Sequence, residues 1–460
     1  MEFLVRLVQM HESFRKAELE AIADLLGTKL EFVYYSETSP YCIVRLPSEA
    51  DARTLIARSI LAQSVHELWG SGVSYDDLHS DVRARTSSRW SAYVEKSFRF
   101  SVDTFQGKRS STEQRELIET FRYMGFEGPI RMKNADIQLC IFEDYDLHAN
   151  EPKMLYLGRF VADSGRRAIV TYDLKKRRYI STTSMDSELA LVTANMAQAA
   201  RGRLFFDPFV GTGSFPVASA HFGATAVGAD IDGRSIRGKG KVNVISNFKQ
   251  YGLMDRYLDN IISDLTNTPL RRARWLDGIV CDPPYGVREG LKVLGTKDGS
   301  GKEEVIIDGV PAHLREGFIP PKRPYSFEAM LDDILDFAVD MLVDNGRISM
   351  WMPTANDEDI ELAIPSHSHL QLISVCVQPF NKWSRRLLTY CRIPEAHVDK
   401  SVPRTKKQYA SGTHADQLNS FRRKYFQGFK NSEEETVAPL ASGIESSSVN
   451  DEPSKEPSQK

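Results

Sequence analysis

From residue 181 to about 400 the chain repeats one pattern: a short apolar run, an acid or a glycine turn, then a segment with apolar residues at helical spacing. Apolar runs of this length bounded by turn residues read as buried strands, and the longer periodic segments between them as helices. Strands are predicted over 203–206, 226–229, 260–262, 279–281, 347–351 and 372–377, and helices over 187–200, 215–221 and 327–343. Strand–helix alternation implies a doubly wound, mostly parallel sheet. The first four strands end at Asp207, Asp230, Asp264 and Asp282. In such a sheet the ligand lies along the carboxyl ends of the strands, so these four acids are expected to share one site.

The first of these turns is Asp207-Pro208-Phe209-Val210-Gly211-Thr212-Gly213-Ser214. Gly211 and Gly213 let the backbone approach a ligand closely at a helix start. Pro216 stands where a dinucleotide fingerprint would carry its third glycine, and Asp207 suits a cationic amine better than a pyrophosphate. Asp230 or Asp232 lies about 20 residues on, where ribose hydroxyls are gripped in related folds. Asp264 is placed to meet an adenine amine. The set fits an adenine nucleoside with an amino-acid tail.

The second turn is Asp282-Pro283-Pro284-Tyr285-Gly286. Two prolines remove backbone donors and hold the chain extended, which is a poor way to build a core. They leave a carboxylate, a free carbonyl and a ring at one place. Asp282 and the Pro283 carbonyl can each accept one N–H of an exocyclic amine, Pro284 stiffens the turn, and Tyr285 is expected to stack on the ring that carries the amine. Cys281 beside it reads as a small buried hydrophobe.

Upstream, residues 1–75 show the order strand, helix, strand, strand, helix, strand, a ferredoxin-like arrangement. Residues 76–170 form a second α+β unit, and 81–133 hold eleven Lys/Arg against seven Asp/Glu in a chain of net charge −3. Basic residues interleaved with aromatics such as Phe98 and Phe100 suit a phosphate backbone and unstacked bases. Residues 171–180 read as a basic linker, 401–430 as a basic extension and 431–460, with seven acids against two lysines, as a disordered tail. The 287–325 stretch is too long for a bare loop and reads as a flap or an RNA-contacting insertion beside the site. Five scattered cysteines, none in a C-x-x-C pair, argue for free thiols and against a metal site in this chain. No signal peptide or membrane-length apolar run is found, which makes the cytoplasm the default compartment.

The order of these motifs resembles the amino-methyltransferases that use S-adenosylmethionine, whose signature (D/N/S)-P-P-(Y/F/W) is matched by Asp282–Tyr285 at every position. With Val287-Arg288-Glu289-Gly290, Thr183-Ser184-Met185 and Ser384-Arg385-Arg386-Leu387, the chain more particularly resembles the catalytic subunits of eukaryotic tRNA (guanine(10)-N(2))-methyltransferases. The resemblance covers about 1–400. It implies a THUMP RNA-binding domain before a Rossmann-like catalytic domain and methylation of guanine N2 in tRNA. It also implies Thr183, Asp207, Phe209, Gly211, Gly213, Asp230, Asp264 and Asp282 around S-adenosylmethionine, Asp282–Tyr285 on the target base, and a small zinc-binding activator subunit as partner. The Asp-Pro-Pro-Tyr turn alone is shared with rRNA guanine-N2 and adenine-N6 enzymes, and a non-catalytic RNA-binding scaffold is the remaining alternative.

Overall fold

A computed structural model describes residues 1–287, 290–295, 306–315, 318–356, 364–398 and 414–428. The tail expected at 431–460 and half of the 401–430 extension lie outside these residues, as do Arg288 and Glu289.

The N-terminal half is built on one seven-stranded sheet. Its elements are β1 (Glu2–Leu7), α1 (Glu12–Leu26), β2 (Glu31–Tyr34), β3 (Tyr41–Arg45), α2 (Glu49–Arg58), β4 (Ala62–Gly72), α3 (Tyr75–Thr86), β5 (Phe98–Phe105), α4 (Ser111–Glu119), β6 (Ile137–Asp144) and β7 (Met154–Asp163). The order β2-β3-β1-β4 is the ferredoxin-like arrangement, and β4 continues into β7-β6-β5. The boundary expected at 75/76 therefore falls within a single continuous sheet. β4 is eleven residues long, and its two edges pair with β1 and with β7 at once. Phe98 and Phe100 are spent on packing: their rings lie in the cluster around Phe121 and Phe126. Lys96, Lys108, Arg115, Arg122, Arg131 and Lys133 stay exposed, whereas Arg109 is bonded to Glu143.

The expected linker is also structured. A short helix α5 (Ala168–Thr171) precedes it, and Arg177 is buried, donating to Ser214 Oγ at 2.9 Å and to the Tyr172 carbonyl at 3.2 Å. That guanidinium anchors the start of the second half and is not presented to a ligand.

The second half contains α6 (Ser187–Met196), β8 (Leu204–Asp207), α7 (Ser214–His221), β9 (Thr225–Asp230), α8 (Gly233–Arg237), α9 (Val244–Tyr251), β10 (Tyr257–Ile262) and β11 (Leu276–Cys281). Two small hairpins follow, β12 (Lys292–Leu294) with β15 (Lys322–Pro324), and β13 (Ile306–Ile307) with β14 (Val310–Pro311). Then come α10 (Phe327–Met341), β16 (Leu342–Ala355), β17 (Leu370–Pro379), β18 (Trp383–Arg392) and α11 (Ser420–Gln427). The sheet order is β10-β9-β8-β11-β16-β18-β17, parallel from β10 to β16. The chain runs outward from β8 to β10 and returns to β11 on the other side of β8, which creates the switch point where ligands bind in such sheets.

One strand escapes the sequence pattern. β18 lies antiparallel between β16 and β17, so the 370–379 strand is an edge rather than a neighbour of β16. Its opening Trp383-Ser384-Arg385-Arg386 breaks the apolar run that marks a central strand.

The halves are fused by α1. Phe14 stacks on Trp351 of β16 with ring centroids 5.8 Å apart, and both belong to the core around α6 and α7. Glu18 is fully buried between them. Its carboxylate accepts from Ser59 Oγ (2.8 Å), the Ile60 and Leu61 amides (3.0 and 2.9 Å) and Asn195 Nδ2 (2.8 Å). Burial pushes its pKa up while these donors pull it back. Glu18→Ala leaves that set of buried donors without an acceptor and is expected to cost about 3 kcal/mol or more. Denaturant unfolding of the full chain reads this, and a loss of less than about 1 kcal/mol would contradict the clamp role.

Candidate active site

The carboxyl ends of β8, β9, β10 and β11 open on a cavity of about 520 Å³. Thr183, Asp207, Phe209, Gly211, Asp230, Asp264, Asp282, Pro283, Pro284 and Tyr285 all line it. The strand-end acids separated by up to about 75 residues of sequence thus meet in one place, as a parallel sheet requires when each strand ends at the same edge.

Gly213 is not among the lining residues. It adopts φ +85° ahead of α7, and a Cβ there would come within 2.8 Å of Val244. It shapes the turn. Gly211, at φ +49°, would bring a Cβ only into ordinary contact with the Phe209 carbonyl at 3.9 Å, and its amide donates to Asp230 Oδ2 at 3.0 Å. That N–H is engaged by a carboxylate rather than presented to an anion. Asp230 also accepts from the Asp232 amide (2.8 Å), whereas Asp232 caps α8 and pairs with Arg234, so the choice left open between the two acids falls on Asp230 as the cavity residue.

Four acids line the cavity against Lys292 and Arg385. Asp207 is 1% exposed and accepts one bond, from the Phe209 amide at 3.0 Å. Burial pushes its pKa well up, and the neighbouring Asp230 and Asp282 push in the same direction. Burial also raises Asp230 and Asp282. A buried carboxylate in this position is costly unless a cation joins it. Asp264 is more fully satisfied, accepting from Thr266 N (2.9 Å), Thr266 Oγ1 (3.0 Å) and Leu294 N (2.6 Å). The last bond comes from β12, so a piece of the 287–325 stretch closes over the acid. Lys292 of that strand lines the cavity, and Lys322 of β15 donates to the Ile231 carbonyl at 3.1 Å.

The Asp282-Pro283-Pro284-Tyr285 turn makes one contact that the sequence does not indicate. The Tyr285 hydroxyl donates to Asp282 Oδ1, a hydrogen bond that positions the ring through its edge. On the other side Arg385 Nη1 stands 3.8 Å from Asp282 Oδ2. Burial raises the pKa of Asp282, and Arg385 and the Tyr285 hydroxyl counter it. Arg385 is itself held by Gln378 Oε1 (3.0 and 2.7 Å) and lies 4.6 Å over the Trp351 ring. In the sequence Arg385 stands out only within the Ser384–Leu387 motif. The signal that could have marked it is a charge in a run that pairs with a buried strand.

Three further groups stand at the cavity without a role expected of them from the sequence. Ser184 Oγ and Thr212 Oγ1 lie 2.7 Å apart on the cavity rim, and Tyr179 donates from its hydroxyl to the Ser235 carbonyl at 2.7 Å. Behind the turn, Asn419 and Arg422 of the α11 region donate to the carbonyls of Tyr285 (2.9 Å) and Val287 (2.7 Å). A chain segment more than a hundred residues away thus splints the turn. Such generic polar residues carry no sequence signal for that task. Among the described residues no His/Cys/Asp/Glu group is arranged to hold a metal ion.

A cavity lined by four acids, with the Gly211 amide engaged by Asp230 rather than presented to an anion, fits a cationic nucleoside. The comparisons with known proteins agree with this chemistry. Residues 1–166 match the family model described as Tmrp11 THUMP N-terminal domain, and 175–294 match RMKL-like, methyltransferase domain. The tRNA (guanine(10)-N(2))-methyltransferase of Saccharomyces cerevisiae is 43% identical over 93% of this chain and 99% of its own length. That of Schizosaccharomyces pombe is 40% identical over 84% of this chain and 81% of its own. The Rattus norvegicus protein of the same name, TRMT11, is 34% identical over 93% and 94%. The chain belongs to the tRNA (guanine(10)-N(2))-methyltransferase family.

Proposed function

We propose that this chain uses S-adenosylmethionine to methylate the exocyclic N2 amine of a guanosine in tRNA, at position 10 as the names of its relatives have it, and that it works in the cytoplasm as the catalytic subunit of a heterodimer with a small zinc-binding activator. The observation that carries the reading is the convergence of Asp207, Asp230 and Asp282 on one cavity whose far wall is the Asp-Pro-Pro-Tyr turn. The tRNA substrate is supported by the names of the relatives; the partner rests on the sequence resemblance alone.

S-adenosylmethionine supplies a methyl group made electrophilic by its sulfonium. Asp207 is suited to its amino group, Asp230 to ribose hydroxyls and Asp264 to the adenine amine, with Phe209, Gly211 and Thr183 lining the walls and Gly213 shaping the turn. Asp282 and the Pro283 carbonyl accept the two N–H bonds of the guanine amine and turn its nitrogen lone pair out of ring conjugation. An arylamine is a weak nucleophile because that lone pair is delocalised, so orientation provides most of the acceleration. Arg385 and Tyr285 hold the Asp282 carboxylate in place, and the incoming amine shares or takes over the acceptor position that the Tyr285 hydroxyl occupies. With its pKa raised by burial, Asp282 can take the proton that leaves once the nitrogen is alkylated. A guanosine within folded tRNA must be unpaired or flipped to reach the turn.

The test combines the purified chain with its candidate small subunit, S-adenosylmethionine and unmodified tRNA, followed by nucleoside mass spectrometry. N2-methylguanosine is the expected product. Its absence, or equal product on rRNA fragments or DNA, would overturn the assignment.

A further inference from the structure

Beside the turn lies a second cleft that the methylation mechanism does not use. It measures about 610 Å³ and runs between the β17–β18 hairpin and α11, with Phe380, Lys382 and Trp383 on one wall and Tyr425 and Phe426 on the other. Soluble proteins seldom leave several aromatic rings at one surface without a use for them. Here Phe380 is 39% exposed, Tyr425 42% and Phe426 61%. Trp383 is stacked on Phe380 with centroids 4.5 Å apart and edge-on to Phe421 at 5.6 Å.

The rings are set among positive charge. α11 reads Ser-Phe-Arg-Arg-Lys-Tyr-Phe-Gln, with three cations and no acid, of which Arg422 pairs with Asp416 at 2.7 Å just ahead of the helix. The Arg422 guanidinium lies 4.9 Å over Phe426 and backs that ring, whose surface is otherwise largely exposed. Aromatic faces with interleaved Arg and Lys are the arrangement that holds unstacked nucleobases along a phosphate backbone. Aromatic lining also occurs where proteins dock; the acid-free, cationic sequence of α11 favours an occupant that brings phosphates with its rings.

Position narrows the occupant. Trp383 and Arg385 are two residues apart on β18 and so face the same side of the sheet, and Arg385 reaches Asp282. On the opposite wall, the residues that hold the Tyr285 and Val287 carbonyls, Asn419 and Arg422, begin the helix that carries Tyr425 and Phe426. The cleft and the target-amine site therefore share both walls. We propose that this cleft binds, by stacking, an unstacked nucleobase of the RNA substrate other than the base that is methylated, one next to the target in space, and so holds the RNA in register while the target base is drawn out. The proposal rests on the RNA-methylation reading for the nature of the substrate.

The test measures tRNA affinity of the full chain with its partner by fluorescence anisotropy, and kcat and KM for methylation, in Phe426→Ala, Phe426→Tyr and Phe426→Leu variants. Phe426 is exposed, so its truncation is tolerated by the fold, which a thermal melt of each variant verifies. Loss of one base–aromatic stack corresponds to about 5- to 150-fold weaker binding. The expected result is that decrease for Phe426→Ala, read as a higher KM with kcat at saturating tRNA little changed, with S-adenosylmethionine affinity unaltered. Phe426→Tyr is expected to restore binding and Phe426→Leu to fail, because leucine keeps apolar area without a π face. Arg423→Gln, on the exposed side of α11, should lower the salt dependence of tRNA binding by about one phosphate contact. Unchanged tRNA affinity in Phe426→Ala would overturn the proposal, as would equal rescue by leucine, the outcome for a protein-docking surface. Failure of the wild-type chain to form N2-methylguanosine while it binds tRNA would count against the function and leave the stacking result readable by itself.

Discussion

Asp282→Ala is expected to lower kcat on tRNA by about 10²–10³-fold, the scale of losing one preorganised hydrogen-bonding group at a reacting centre. The loss should fall on kcat rather than on KM for tRNA, because the amine contact matters only once the base is seated. Asp282→Asn, which keeps one acceptor oxygen, should retain more activity than alanine. The pH profile gives an independent reading. Burial raises the pKa of Asp282, and Arg385 opposes the rise. Single-turnover rates should fall as the pH drops through this raised value, because the protonated carboxyl carries a donor where an acceptor is needed. Arg385→Gln removes the opposing charge, so the acid limb should move to higher pH. An unmoved limb in that variant would show that Asp282 is not the titrating group.

The second large effect is at Asp207. Buried, with one hydrogen-bond donor and two neighbouring acids, its carboxylate is held in an unfavourable state until a cation arrives. Asp207→Asn should weaken S-adenosylmethionine binding by about 10–100-fold, the worth of one charge-assisted hydrogen bond. The same substitution should raise the melting temperature of the ligand-free chain. The sign follows from linkage. Between the ordinary aspartate pKa and the raised value in the folded chain, the folded state binds more protons than the unfolded state, so stability falls as pH rises. The asparagine variant lacks this contribution, so its stability should fall less steeply across that window. Ligand binding in the wild type should release a proton, which calorimetry in buffers of different ionisation enthalpy detects. Loss of both affinity and stability in Asp207→Asn would instead make this acid a structural support.

Much of the site is local information. The strand-end positions of Asp207, Asp230, Asp264 and Asp282 are set by period and punctuation, which are readable from neighbours in sequence, and so is the stiffness of two consecutive prolines. In a parallel sheet those ends must lie along one edge, so their meeting follows without knowing the path of each helix. Tyr285 was legible as a site residue but not in its present contact, because a hydroxyl's partner depends on a rotamer that only packing selects.

The chain's own order of residues thus determined the doubly wound sheet, the edge on which its acids gather and the motif that grips an amine, since each is a short-range pattern repeated along the chain. Tertiary structure alone decided that β18 inserts between β16 and β17, that its Arg385 reaches Asp282, that α11 splints the turn and walls an aromatic cleft, and that β4 and Glu18 fuse segments that read as separate domains. These contacts join residues from tens to hundreds of positions apart through single polar groups. Their energy lies in desolvation and geometry at one place in space, and a polar side chain looks the same in sequence whether it faces water or a buried carboxylate.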